Sequence, residues 1–332
     1  MAPVPTKSSV VLTKFYNSVL ELIGDTPLVK LNKVIPNKKV TVLAKLEYMN
    51  PGGSVKDRIG ISMIRDGEAR RRLKPGATIV EPTSGNTGVG LAMASAIGGY
   101  KTIFVMPDKM SKEKEDLLRA YGSDVIRTPT AVPPDDPRSN YRVAERISME
   151  RGAFLPNQYA NQKNPEAHFR TTGPEIWRDT DGKITHFVAG MGTGGTITGT
   201  GRFLKSKSKK VRVIGVDPAG SVFRDRFYHR PDHFHTYRVE GIGEDFVPTS
   251  LDMSVIDDIM TVDDKESFLM ARRLAREEGI LVGGSSGTAA AAAKKLASKL
   301  SSGLIVVLFP DTGRNYLSTI FNDEWMKSNG FL

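Results

Sequence analysis

Apolar and polar positions along the chain fall into two alternating rhythms. Short, nearly unbroken apolar runs predict strands over residues 41–46, 78–80, 102–106, 124–127, 186–189, 211–216 and 304–309. Between them, apolar residues recur every three or four positions and predict helices over 55–71, 87–97, 111–120, 141–151, 166–177, 195–204, 264–278 and 286–300. Asp263-x-x-Glu266 supplies a capping box ahead of one of these. Such alternation predicts parallel strands with helices on both faces. A change of character near 154–164 divides the chain into two three-layer α/β/α units with mostly parallel sheets and a ligand-binding cleft between them. The boundaries place residues 42–157 in a smaller, mobile unit, and residues 1–41 with 158–332 in a larger one. The loop 129–137, the stretch 223–239 and a Pro- and Ser-containing opening dozen residues, read as a loose arm, interrupt the rhythm.

One junction is organised differently from a plain strand-to-helix turn. Asn50-Pro51-Gly52-Gly53-Ser54-Val55-Lys56-Asp57-Arg58 follows the first long apolar run and opens a helix carrying Ile59, Met63 and Ile64. Ser54 is a good N-cap, and Asp57 three residues on gives a near capping box. Lys56 then stands in the first turn, where the helix dipole is positive and backbone N–H groups are unpaired. A partly desolvated lysine in that field loses its proton more readily, and a neutral amine is what a Schiff-base nucleophile requires.

Composition narrows the chemistry. The 332 residues contain no cysteine, which excludes disulfides, thiolate catalysis and cysteine-ligated zinc, haem or iron–sulfur centres. His229, His233 and His235 have no metal-site spacing and read as a surface loop, so no metal is expected. Lys and Arg exceed Asp and Glu by 47 to 37, but they are dispersed and not interleaved with aromatics. That argues for a basic surface drawing anionic substrates rather than for nucleic acid. No apolar run reaches the roughly 20 residues of a membrane span, and the start lacks a secretory apolar core, so a cytoplasmic protein is expected.

Four further stretches converge on one ligand. Glu81-Pro82-Thr83-Ser84-Gly85-Asn86-Thr87-Gly88 follows a strand and opens a helix, offering hydroxyls, an amide and free N–H groups to an anion. A helix cap alone would account for only one or two of these residues. Gly190-Met191-Gly192-Thr193-Gly194-Gly195-Thr196-Ile197-Thr198-Gly199 can close backbone amides around a phosphate. It reads almost as well as a dinucleotide fingerprint, with Asp217 ending the next strand; Lys56, which a dinucleotide site would not need, counts against that. Leu281-Val282-Gly283-Gly284-Ser285-Ser286-Gly287 puts Ser285 at a helix mouth, where it serves equally as a ligand contact or an N-cap. Phe309-Pro310-Asp311-Thr312-Gly313-Arg314 stands at the C-end of the last strand, the usual ligand edge.

Together, Gly-Gly-Ser-Val-Lys-Asp-Arg, Thr-Ser-Gly-Asn-Thr-Gly and Gly-Thr-Gly-Gly-Thr resemble the β-family (fold type II, tryptophan-synthase-β-like) of pyridoxal-phosphate enzymes over about residues 20–332. Gly52-Gly53, Gln158-Tyr159, Glu240-Gly241-Ile242-Gly243 with Asp245-Phe246, and the ending Arg314-Asn315-Tyr316…Trp325…Gly330-Phe331-Leu332 lean toward its cystathionine β-synthase branch. The O-acetylserine sulfhydrylase (cysteine synthase) branch stands next. The resemblance implies that Lys56 holds pyridoxal phosphate as an imine and that Asn86 bonds the ring hydroxyl. It implies a phosphate cup of Gly192, Thr193, Gly194, Gly195 and Thr196, and Ser285 at the pyridine nitrogen. Thr83, Ser84, Asn86, Thr87 and Gln158 are implied carboxylate ligands, with Gly241 also at the substrate. The implied reaction is β-replacement, joining serine or O-acetylserine to homocysteine to give cystathionine in transsulfuration, with sulfide-releasing side reactions, in a homodimer. Cysteine synthase from O-acetylserine and sulfide is the alternative; a non-catalytic scaffold binding an acetyltransferase tail is a rival of another class. Glu244 departs from the pattern, standing where many cystathionine β-synthases have Tyr. No haem arm or regulatory domain is expected, so neither haem sensing nor adenosylmethionine activation is.

Overall fold

The computed structural model describes residues 15–332, so the opening dozen residues read as a loose arm lie outside the described residues. Nine strands form two sheets. β1 (Leu28–Lys30), β2 (Val40–Leu46), β6 (His186–Gly190), β7 (Arg212–Pro218), β8 (Asp258–Val262) and β9 (Gly303–Phe309) make a six-stranded sheet ordered β1-β2-β9-β6-β7-β8. Within it only the β1–β2 pairing is antiparallel. β3 (Thr78–Pro82), β4 (Lys101–Pro107) and β5 (Asp124–Thr128) make a second, wholly parallel sheet.

The strands read as unbroken apolar runs because both faces are covered. In β9, Ile305, Val307 and Phe309 pack on one side while Val306 and Leu308 pack on the other. The helices are α1 (Lys56–Ala69), α2 (Asn86–Gly98), α3 (Lys112–Ala120), α4 (Asn140–Arg151), α5 (Lys163–Arg170), α6 (Thr172–Asp179), α7 (Gly195–Lys207), α8 (Phe223–Phe227), α9 (Asp264–Arg273), α10 (Gly284–Lys299) and α11 (Asp323–Ser328). α9 and α10 cover one face of the large sheet, with Ala289–Ala293 as the contact stripe, and α6, α7 and α8 cover the other. α1, α2 and α3 lie against Phe104 and Met106 of the small sheet; α4 lies against Ile103 and Val105. Both sheets are therefore sandwiched between helices, the fold class expected from the alternation.

Several elements differ from the sequence reading. β2, which a boundary at residue 42 would split, pairs along its whole length with β9 in the large sheet, so the sheets part company after Leu46. The helix expected over 166–177 is broken at Thr171 into α5 and α6. Pro174 cannot donate to the carbonyl of Arg170, and its ring crowds that turn. The helix expected over 264–278 is α-helical only to Arg273; Leu274–Glu278 is wound more loosely. Asp263 does cap it, accepting from the Glu266 amide at 2.8 Å.

Two features fix the start of α1, one against α2 and one against the larger unit. At the α1–α2 crossing, a Cβ on Gly90 would lie 2.7 Å from the carbonyl oxygen of Lys56, so only glycine lets α2 pass that close. Next to it, Arg58 is buried between two carboxylates, with Nε 2.7 Å from Glu47 and Nη1 2.6 Å from Glu175. Lys45 adds a second cation 2.7 Å from Glu175, and the Thr26 hydroxyl donates to Glu47.

Candidate active site

Lys56 opens α1, as the glycine turn before it predicted, but the cap is built differently. Ser54 Oγ accepts from the Lys56 amide itself at 3.2 Å, and the Asp57 carboxylate reaches back to the Gly52 amide at 2.6 Å. No capping box forms; the two side chains instead tie the Pro-Gly-Gly turn to the helix mouth. Burial lowers the Lys56 amine to about pH 8, although the carboxylates of Asp311 and Glu244 pull it back toward the charged form. Lys56 makes no ion pair among the described residues.

A cavity of about 560 Å³ opens from Lys56. Ser84, Gln158, Thr193 and Gly241 line it too, together with the irregular loop after β5 and residues 236–245. The remaining residues singled out by sequence join it through bonds. Thr87 Oγ1 donates to Gln158 at 2.6 Å, and Asn164 Nδ2 donates both to the Gln158 carbonyl at 2.8 Å and to Thr193 Oγ1 at 2.9 Å. The first turn of α2 and the glycine run before α7 are thus linked through two buried residues, Gln158 and Asn164. Thr83 shapes its own loop, its hydroxyl oxygen accepting from the Gly85 and Gly88 amides, which leaves its O–H to donate. Asn86 donates to Asp311 Oδ2 at 2.8 Å, and the Tyr316 hydroxyl donates to the same oxygen at 2.6 Å. The Gly283 amide donates to the Asp311 carbonyl, which brings Ser285 to the same wall. Ser285 is not the N-cap of α10: that position is Gly283, and Ser285 is buried within the first turn. Asp217, the residue that suited a ribose, accepts from the Arg224 amide and is spent at the mouth of α8.

Sequence reasoning missed Asn164, His168, Lys114 and Tyr141. His168 is wholly buried between Thr172 and Thr196. Burial and the charges of Arg58 and Lys56 keep its ring neutral, so it serves Thr196 as a fixed polar neighbour. Lys114, also fully buried, reaches across from α3 to Glu240 at 2.6 Å, with its ammonium 4.7 Å from the Tyr316 ring. Each is an ordinary polar residue on a helix, with no local signal.

Residues 19–311 match the family model described as pyridoxal-phosphate dependent enzyme. The chain belongs to that family. Among curated relatives, it is 49% identical to the cystathionine beta-synthase of Oryctolagus cuniculus over 96% of this chain and 59% of that one. It is 45% identical to that of Saccharomyces cerevisiae over 94% of this chain and 64% of that one. The chain thus spans about three fifths of those relatives. The match spans the whole of two solved structures: O-ureido-L-serine synthase (38% identical, TM-score 0.87, 95% of this chain) and a hydrogen sulfide-producing enzyme from Fusobacterium nucleatum (38%, 0.85, 91%).

The residues present fit the family's cofactor. The amides of Gly192, Thr193 and Gly194 donate to no protein acceptor among the described residues, and they converge at the N-terminus of α7. Nothing larger than glycine fits there: a Cβ on Gly192 would sit 2.6 Å from the Gly241 carbonyl, and one on Gly195 would overlap the Asn164 side chain. An anionic phosphate supplies the acceptors that these amides lack. Gly195→Ala should therefore weaken pyridoxal-phosphate binding at least about tenfold, or about 1.4 kcal/mol, in a titration of the apo protein. Covalent capture of the cofactor by the apo protein should quicken with rising pH and level off above about 8, because only the neutral amine attacks. Borohydride trapping at timed points between about pH 6 and 10 measures it.

Proposed function

We propose that the chain catalyses β-replacement, in which L-serine loses its hydroxyl and the sulfur of L-homocysteine bonds to the vacated carbon, giving L-cystathionine and water. The shared cavity carries this reading. Its roughly 560 Å³ must also take the ring of the cofactor tethered at Lys56, and beside that ring it leaves far more room than a sulfide ion needs. The names of the curated relatives support it.

Bound pyridoxal phosphate supplies an electron sink beside Cα. The chain's own residues do the rest. Lys56 is the covalent tether. Gly192, Thr193, Gly194, Gly195 and Thr196 hold the phosphate, Asn86 the ring hydroxyl and Ser285 the ring nitrogen. Thr83, Ser84, Asn86, Thr87 and Gln158 hold the serine carboxylate, and Gly241 borders the substrate. Lys56 Nζ takes the proton from Cα, delivers it to the departing hydroxyl to make water, takes the thiol proton as sulfur bonds to the vacated carbon, and returns that proton to Cα. A group that both accepts and donates works best when its pKa lies near the working pH, which about 8 satisfies. Closure of the small-sheet unit over the bound carboxylate would keep water from the reacting carbon. Cysteine in place of serine would release sulfide, as the name of the Fusobacterium nucleatum neighbour suggests. We further propose a cytoplasmic homodimer acting on small molecules alone; the exposed apolar Phe15, Val19 and Leu22 offer it a contact surface.

Crossing serine or O-acetylserine with homocysteine or sulfide, with products identified by mass, tests the reading. Cystathionine from serine should form with a kcat/KM at least about tenfold above any sulfide pairing. Faster cysteine formation from O-acetylserine and sulfide would replace it with the cysteine synthase assignment.

A further inference from the structure

The cavity wall opposite the carboxylate loop ends in Gly243-Glu244-Asp245-Phe246. Its backbone is held on three sides. The Gly243 amide, at φ +77°, donates to Met191, the Glu244 amide donates to Ser221 Oγ, and the Glu244 carbonyl accepts from the Val222 amide and the Ser221 hydroxyl. The side chain of Glu244 therefore projects from a fixed point into the space that Lys56 also lines.

Its carboxyl has hydroxyl partners but no cation. Tyr141 donates to it at 3.4 Å and Tyr159 also hydrogen-bonds it, and no Lys or Arg forms an ion pair with it among the described residues. Glu47, Glu175 and Glu240 each have a cation at 2.6–2.7 Å, and Glu81, buried without one, instead has two close backbone amides, from Asn157 and Gln158, at 2.8 Å. Burial, reinforced by Asp245 and opposed by Lys109, raises Glu244 to about 8. Lys109 does not reach it; its ammonium lies 5.4 Å from the Tyr237 ring. Around the carboxyl, Tyr141, Tyr159 and Phe246 form a trio of rings with centroids 5.3, 5.6 and 5.7 Å apart. A carboxyl lacking its cation beside aromatic rings is the chemistry that receives an organic ammonium.

We infer that Glu244 binds the α-ammonium of the second, thiol-bearing amino acid and so selects an aminothiol over bare hydrosulfide. This rests on the β-replacement reading. An arriving ammonium supplies the missing ion pair and favours the ionised carboxylate. Hydrosulfide brings no cationic group, so it leaves that ion pair unmade, and any ionised fraction of the carboxylate repels its negative charge.

The test uses the holoenzyme with serine as first substrate and four nucleophiles: homocysteine, cysteamine, 2-mercaptoethanol and sulfide. In Glu244→Gln, kcat/KM should fall about tenfold or more for homocysteine and cysteamine, mainly through KM. It should stay within about twofold for 2-mercaptoethanol, which lacks the amino group, and stay level or rise for sulfide. The colour change on adding serine alone should be unaltered, showing an intact first site. Glu244→Asp, which keeps the charge, should retain the preference for aminothiols. An equal fall for all four nucleophiles, or no fall for the two aminothiols, overturns the inference. Failure of the β-replacement reading shows separately, in the wild-type protein alone, as absence of cystathionine from serine and homocysteine.

Discussion

Lys56→Ala should lose turnover by about a thousandfold or more while its fold stays intact. Lys56 lines the cavity together with Ser84 and Thr193, and burial has already brought it to about 8. Removing it takes away the tether and the proton carrier together. The variant should no longer keep pyridoxal phosphate through borohydride treatment and denaturation, whereas the wild type should carry it on the peptide containing residue 56. Stability should not fall with activity. Lys56 has no ion-pair partner to leave stranded, and deleting a desolvated amine relieves the chain of a group that would rather be hydrated. An unchanged or raised melting temperature with activity gone is the expected pair of results. A variant still turning over at the wild-type rate would refute the assignment of Lys56.

The largest effect on stability is expected two residues further along. Arg58→Met should destabilise the protein by about 3–5 kcal/mol, because it leaves Glu47 buried without its cation. Glu175 keeps Lys45, so most of the loss falls on Glu47. In the native chain, burial pushes the Glu47 carboxyl upward, but Arg58 outweighs it and holds the group below its ordinary value. Without Arg58, burial wins and the folded-state pKa rises above the unfolded one. The folded variant then binds a proton that the unfolded chain does not, so its stability recovers as pH falls through that interval. Urea unfolding should show a smaller deficit at acidic than at alkaline pH. Arg58→Met combined with Glu47→Gln should recover part of the loss. A deficit independent of pH would mean that Glu47 is not the stranded group. Because Arg58 and Lys56 share the first turn of α1, the variant should also hold its cofactor less firmly.

The sequence by itself determined whatever depends on neighbours a few residues away. Strand–helix alternation set the fold class, since a strand covered on both faces must be apolar throughout, as in β9. Local sterics placed Lys56 at a helix start after two glycines, and the glycine run before α7 where an anion can meet free amides. The three-residue edge strand β1 carried too little pattern to read, and the break at Thr171 depended on how Pro174 affects the preceding turn. Only the tertiary structure decided which distant groups became partners. Arg58 and Glu175 are 117 residues apart, Asn86 and Asp311 are 225, and Glu240 in the irregular stretch after α8 meets Lys114 of α3. Burial turns each of these ordinary polar residues into a strong partner, because a desolvated charge or amide must be matched wherever the chain brings it. The same burial, acting on Lys56 and Glu244 in one cavity, set their proton affinities. Desolvation is a property of the packed molecule and has no counterpart in the order of its residues.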